Sequence, residues 1–312
     1  MTAVVAGGAG FVGSHLCELL LRRGFRVVCA DNLITGSRRN VRRLSHNNAF
    51  RFACLDVTRP ISISGRVDVV YHLASPASPR DYLTYPLQTL SANSTGTEVL
   101  LELARRKKSV FVLASTSEVY GDPKIHPQRE SYWGNVNPVG PRSVYDEAKR
   151  YAEAVTMAFH RQHGLPVRIA RIFNTYGPRM RRSDGRVVPT LIDQALTGAP
   201  LTIHGTGRQT RSFCYVSDLV EALLRIAGCS EPGPINLGNP QEITMLRLAS
   251  IIRRLTCSTS TLAFEPYPED GPRRRRPDIR RARRLLRWTP TVAITEGLVP
   301  TIDWFRTKPN PA

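Results

Sequence analysis

Val4-Val5-Ala6-Gly7-Gly8-Ala9-Gly10-Phe11-Val12-Gly13-Ser14-His15 runs from a short apolar stretch into an amphipathic one, with glycines at 7, 10 and 13. A backbone that turns there from strand to helix leaves little room for side chains. A pyrophosphate laid on the turn needs both close approach and the positive end of a helix. A glycine triplet alone is a weak signal, but this one is answered by Asp31 at the end of the second apolar run. A carboxylate at that point accepts the two ribose hydroxyls of an adenosine and repels a 2′-phosphate, which favours NAD over NADP. Arg38 and Arg39 nearby keep the phosphorylated cofactor open. Asp56-Val57, closing the third strand region, is placed to meet the adenine, or Asp56 simply caps its loop.

Outward from the turn, the apolar runs at 3–6, 27–30, 67–73 and 110–114 read as buried parallel strands, with helix patterns at 13–23 and 93–107 between them. Strand and helix in alternation predict an α/β fold, a Rossmann-type doubly wound parallel sheet. After Phe173 the pattern loosens into Pro- and Gly-punctuated segments with short helices near 188–196 and 245–255, which reads as a smaller mixed α/β lobe for the substrate. The helix pattern 216–227 returns to the sheet. The expected division is therefore residues 1–171 plus about 212–238 for the cofactor domain, and 172–211 plus about 239–312 for the second.

Composition narrows the classes. A chain of 312 residues with 41% hydrophobic content buries a substantial core. No stretch approaches the roughly 18 apolar residues that span a bilayer, so a cytoplasmic protein with no membrane partner is expected. The six cysteines form no Cys-x-x-Cys pair. They read as buried reduced thiols with no metal role. The net charge of +19 is the one signal for a basic nucleic-acid-binding module. However, only five of the 44 basic residues are lysine and the arginines are scattered. The dense run from Arg273 to Arg287 lacks interleaved aromatics and reads as a solvated face, so no nucleic acid is expected.

Tyr145-Asp146-Glu147-Ala148-Lys149 sets a phenol and an ammonium four residues apart, on one face of a helix. The lysine charge and a nicotinamide cation lower the phenol's pKa in this reading, so that tyrosinate takes a proton from a sugar hydroxyl as hydride leaves. The pair follows the fourth strand, whose end carries Thr116-Ser117-Glu118. Thr116 can hydrogen-bond the reacting hydroxyl and Glu118 can manage a second proton. The helix is apolar nearly all round, which suits burial on two sides and a homodimer through helices 93–107 and 145–160.

Several longer matches now carry a family resemblance. They include Leu73-Ala74-Ser75-Pro76-Ala77-Ser78-Pro79, Thr116 to Pro123, Tyr132 to Pro138, Arg171 to Met180, Asp184-Gly185-Arg186-Val187-Val188 and Arg275-Arg276-Pro277-Asp278-Ile279. Over positions 4–305 the chain resembles the extended short-chain dehydrogenase/reductase family of nucleotide-sugar epimerases and dehydratases. Within it the chain is most similar to the branch that decarboxylates UDP-glucuronate to UDP-xylose. That resemblance implies tightly bound NAD, contacted by Phe11, Val12, Asn32, Asp56, Val57, Leu73 and Ala74 besides the glycines and Asp31. It implies Tyr145 as the base that starts oxidation at C4, assisted by Lys149 and Thr116. Glu118, with Ser117 and a water, becomes the acid that reprotonates C5 after carbon dioxide leaves. Arg275 is implied at the diphosphate and sugar carboxylate, Asn174 and Arg211 at the diphosphate, and Val187 and Val188 near the uracil. Pro79, Tyr82, Arg179 and His204 complete the implied substrate set.

The chain departs from the family pattern at Ala6 (usually threonine), His204 (often tyrosine), Thr206 (aspartate) and Gly271 (aspartate). Arg80 and Asp81 are unusual after Ser78-Pro79. Three enzymatic alternatives remain open. Ser117 stands where 4,6-dehydratases carry aspartate, and a 4-epimerase needs no Glu118. A decarboxylase that releases the 4-keto pentose differs only in whether hydride returns before the intermediate leaves.

Overall fold

Thr2–Ala6 (β1), Arg26–Asp31 (β2), Phe50–Cys54 (β3), Val69–His72 (β4), Val110–Thr116 (β5), Val167–Ile172 (β6) and Pro234–Leu237 (β7) form one sheet, in the computed structural model, which describes residues 1–267 and 274–307. The order is β7-β6-β5-β4-β1-β2-β3 and every pairing is parallel. Ala3, Val4, Val5 and Ala6 are all fully buried, as strands of a sheet covered on both faces must be. Alternation divides them: Ala3 and Val5 join the core under helices Phe11–Arg22 and Val216–Ala227, while Val4 and Ala6 join the core under Thr95–Lys107 and Ser143–His163. The strand order reverses between β1 and β4, and the crevice beyond their carboxyl ends is where such a sheet binds its ligand.

The second lobe has its own core. Helices Val187–Thr197, Met245–Thr256 and Ile294–Arg306 bring Leu191, Ile192, Leu248, Ile252, Leu298 and Phe305 together. Leu201–His204 pairs in parallel with Leu262–Glu265, and Thr210–Ser212 pairs antiparallel with Glu242–Thr244. The chain crosses between lobes more often than the sequence reading allowed. Ile279, Ala282, Leu286 and Trp288 pack into the core of the sheet, not of the second lobe. Trp288 donates its indole N–H to the Asp218 carbonyl at 2.9 Å, and the Asp218 carboxylate accepts from the backbone N–H groups of Thr291 and Val292, each at 2.9 Å. This returning segment carries Arg280, Arg281, Arg283, Arg284 and Arg287 between its few apolar residues, so composition did not separate it from its surroundings.

Other differences are local. The helix expected over 93–107 runs Thr95–Lys107, and a separate helix, Pro86–Asn93, leads into it. Ser94 between them leaves helical geometry at φ −98°, ψ −90°, with its hydroxyl bonded to the Leu90 carbonyl at 2.8 Å. The helix carrying Tyr145 and Lys149 is longer than its apolar pattern, Ser143–His163, and ends at Gly164 in the left-handed region. All six cysteines are free, but Cys54 and Cys257 are exposed, against the expectation of burial. Of the arginine run, Arg274 is exposed whereas Arg276 is half-buried, giving its N–H to Gln128 at 2.8 Å and its guanidinium to Glu242 at 3.6 Å. Gly271 and Arg273 lie outside the described residues. Among the described residues no helix is long and apolar enough to cross a membrane, and no group of three or more His, Cys, Asp or Glu side chains is placed to hold a metal ion.

Candidate active site

The glycine turn is built by exclusion. Gly7 adopts φ +79°, and a Cβ there would sit 2.6 Å from the Leu73 carbonyl carbon; a Cβ on Gly13 would sit 2.1 Å from the Gly7 oxygen. β1, the loop after β4 and the first helix therefore meet backbone to backbone. Gly10 caps Phe11–Arg22 without any side-chain bond, so the first N–H groups of that helix are left for a ligand. Asp31 is buried and both its oxygens already accept backbone N–H groups, Ala9 at 2.9 Å and Leu33 at 2.8 Å. Burial raises its pKa despite those bonds. A carboxylate has about four acceptor positions, so two remain for ribose hydroxyls.

Two contiguous cavities of ≈ 350 Å³ each share Gly7, Gly10, Leu73 and Ser75. One is lined by Asp31, Asn32, Asp56, Val57 and Ala74, the other by Phe11, Val12 and Gly13. Every residue assigned to NAD ahead of Tyr145 thus lines one groove. Its shape, the uncapped helix terminus and the carboxylate all fit a dinucleotide with a free 2′-hydroxyl. Asp56 does both jobs left open for it: it caps its loop through Thr58 N–H at 2.9 Å and still faces the groove.

Tyr145 enters the site two residues into its helix, and Thr116 ends β5, the strand against which that helix packs. Their side chains are hydrogen-bonded. Tyr82 stacks flat on the Tyr145 ring, centroids 5.1 Å apart at 9°, and its buried hydroxyl has no bonded partner. Lys149, one turn on, is 3% exposed, donates to the Ala114 carbonyl at 2.8 Å and sits 5.8 Å from the Tyr145 ring centroid. Here the expected electrostatics are corrected. In the ligand-free chain burial pushes Tyr145 up to about 12, with the Thr116 bond and the Arg186 charge only partly opposing it. Burial likewise draws Lys149 down to about 7, against the pull of Glu153. Desolvation outweighs pairing at both groups.

Glu118 lies just past β5 in the turn Ser117–Tyr120, held between the guanidinium groups of Arg142 and Arg275. Arg275 is 3% exposed and also donates to the Gly121 carbonyl at 3.2 Å. Burial lowers its pKa to about 10. It reaches Glu118 because its segment is laced to both lobes: its backbone pairs with Arg211, and residue Asp278 gives its N–H to the Gln128 carbonyl at 2.8 Å. The implied uridine-side residues sit in the second lobe. Arg211 donates to the Tyr267 hydroxyl at 2.7 Å, His204 is bonded to the Pro266 carbonyl at 3.2 Å, and Asn174 follows β6. Val187 is half-buried, and Val188 is buried in the lobe's core. Pro79 opens the helix Pro79–Thr84 that carries Tyr82. Arg179, implied at the substrate, is committed to Glu18 on the first helix and lines the cofactor groove.

The sequence reading missed five groups. Arg142 is the second cation on Glu118. Arg186 grips Asp184, with one bond at 2.7 Å, and its charge bears on Tyr145. Below the site Glu153 accepts from Ser115 at 2.6 Å and from Arg171 at 2.9 and 2.7 Å, a half-buried pair tying the helix to β5 and β6. Tyr267 stands beside His204 and Gly205, a ring where the family's tyrosine was missed. Asp81 is paired with Arg181. Two of the five carried a signal: Arg142, three residues before Tyr145, and Asp81, already unusual after Ser78-Pro79 but given no role.

Comparison with known proteins agrees with this geometry. A profile described as the NAD dependent epimerase/dehydratase family matches residues 3–238. The chain is 51% identical over 302 residues to UDP-glucuronic acid decarboxylase 1 of Danio rerio, covering 97% of this chain and 72% of that protein. It is 50% identical over 311 residues to UDP-glucuronic acid decarboxylase 3 of Arabidopsis thaliana, covering 99% and 90%. Among solved structures it resembles UDP-glucuronic acid 4-epimerase of Bacillus cereus in complex with UDP-glucuronic acid and NAD, at 29% identity and TM-score 0.85, covering 98% and 99%.

Proposed function

The chain belongs to the NAD dependent epimerase/dehydratase family, and from that premise we propose that it converts UDP-glucuronate to UDP-xylose with release of carbon dioxide. The observation that carries this reading is Arg275, a buried guanidinium delivered from the second lobe onto Glu118, just past the strand against which Tyr145's helix packs. A neutral hexose offers such a cation nothing. A sugar carboxylate offers it a charge-assisted, two-pronged bond.

The glycine turn and Asp31 would hold NAD, which when bound would supply the hydride chemistry at C4. The chain's own groups manage charge and protons. Tyr145 accepts the C4 hydroxyl proton, oriented by Thr116, and Lys149 beside it favours the phenolate when protonated. The Tyr145 pKa of about 12 in the ligand-free state means that the base is made ready only as positive charge gathers around it. Arg275 passes from Glu118 to the incoming carboxylate, and Arg142 remains paired with Glu118 meanwhile. Glu118 and the neighbouring Ser117, 2% exposed, are placed to hold a water that relays one solvent proton to C5, in place of the carboxylate lost as carbon dioxide.

We propose also that the protein acts as a homodimer. Leu90 and Tyr151 are exposed on the two helices flanking Thr95–Lys107, an arrangement suited to a matching surface on a second copy. Sedimentation of Leu90→Glu should show monomer where the native protein shows dimer. The test of the activity is carbon dioxide release from UDP-glucuronate by purified protein with NAD. Release from that substrate and none from UDP-glucose is expected. Epimerised UDP-galacturonate without carbon dioxide would replace this reading with a 4-epimerase.

A further inference from the structure

Residues 179–183 leave the sheet domain for the second lobe, and they do so across the mouth of the cofactor groove. Their ties are to the sheet domain on both banks. On one bank, the first helix holds the segment twice on one face: His15 is bonded to the Pro178 carbonyl at 2.9 Å, and Glu18 takes the Arg179 guanidinium. On the other bank, Asp81 takes Arg181, and Arg80 reaches the Ser183 carbonyl at 3.4 Å. Arg182 then anchors the far end to Asp193 at 3.1 Å and to the Phe305 carbonyl, inside the second lobe. The cavity beneath is floored by Gly10, Phe11 and Gly13 and roofed by Arg179 and Arg181. Arg179 holds an uncommon left-handed backbone at φ +70°, and its second terminal nitrogen is buried with no bonded partner. A buried cationic N–H without a partner is costly unless an anion meets it, and Arg179 lines the same cavity as the glycine turn.

We propose that 179–183 is a clasp that retains the dinucleotide: Arg179 donates to its pyrophosphate from above, and the Asp81–Arg181 ion pair keeps the clasp shut. The inference rests on NAD being the resident cofactor. It gives Arg80 and Asp81, which the family pattern left unexplained, a role in holding the cofactor instead of choosing the sugar. The chemistry needs such retention, because the hydride taken from C4 must go back to the same sugar. A cofactor that leaves between the two transfers strands the ketone.

The test is the off-rate of NAD from the holoprotein, followed by exchange of bound for labelled NAD, in the native protein, Asp81→Asn and Arg181→Gln. Each substitution is expected to raise the off-rate about tenfold, the loss of one partly buried ion pair. High salt should speed release from the native protein and not from the variants, whose pair is already broken. The double exchange Asp81→Arg with Arg181→Asp should restore slow release if the pair itself is the latch. Off-rates within twofold of native for both folded single variants would overturn the clasp, as would equal salt dependence in all three. A native protein that binds no NAD at all would instead overturn the cofactor assignment on which the clasp rests.

Discussion

Lys149→Met should make the ligand-free protein more stable while removing its activity. The native ammonium is buried, and its proton affinity falls from an ordinary 10.5 to about 7. At ~1.4 kcal/mol for each tenfold change, that is a cost of about 5 kcal/mol for keeping the charged form folded. Methionine removes the cost and fills a similar volume. It also forfeits the bond to the Ala114 carbonyl, about 1 kcal/mol. A net gain of about 3–4 kcal/mol is expected near and below neutral pH. The pH dependence has a definite sign. The folded pKa lies below the unfolded one, so between about 7 and 10.5 the unfolded chain binds more protons and native stability rises with pH. The destabilisation is complete below about 7 and gone above 10.5. Urea unfolding of both ligand-free proteins at a series of pH values from about 6 to 10 measures this directly. The gap between variant and native should be widest at the acid end and close toward the alkaline end. A variant less stable than native at low pH, or a gap indifferent to pH, would refute the claim that burial dominates Lys149.

Tyr145→Phe should lower turnover by ~10³-fold while leaving bound NAD, measured after acid release, at the native level. Arg275→Met should cut kcat/KM for UDP-glucuronate by ~10²-fold, and because Glu118 keeps Arg142, urea unfolding should report a loss of no more than ~2 kcal/mol. Asp218→Ala removes three bonds to the returning segment at Thr291 and Val292, so its midpoint in urea should fall by an amount equivalent to ~3 kcal/mol with kcat little changed.

What could be read from the sequence was what repeats locally. The glycine turn, Asp31 and the Tyr145/Lys149 spacing are short-range patterns: the first two line one groove at the switch point of the sheet, and the last two share one helix beside β5. Glu118 and Arg275 are 157 residues apart, and their pairing was reachable only through the family resemblance that gave each a role. Pairs with no such guide stayed hidden. Asp81 and Arg181 are 100 positions apart, and Glu153 finds Ser115 and Arg171 across three different elements. Charge at any one of these positions looks like ordinary surface until the fold buries it. The same limit explains the error at Tyr145. Counting nearby cations predicted a depressed pKa, but how deeply the phenol is buried depends on Tyr82, stacked on it from a helix 60 residues earlier in the chain. The returning segment around Trp288 failed for a related reason: its few apolar residues are legible only once Asp218 and the helix beneath them are in place.

The central claim is that this site removes the sugar carboxylate and then returns the hydride to C4. An NMR time course of UDP-glucuronate with the holoprotein tests both halves in one sample. The account predicts that UDP-glucuronate gives way to UDP-xylose with no lasting change in bound NAD. Accumulation of UDP-4-keto-xylose in place of UDP-xylose, or of a product that keeps its carboxylate, would contradict it.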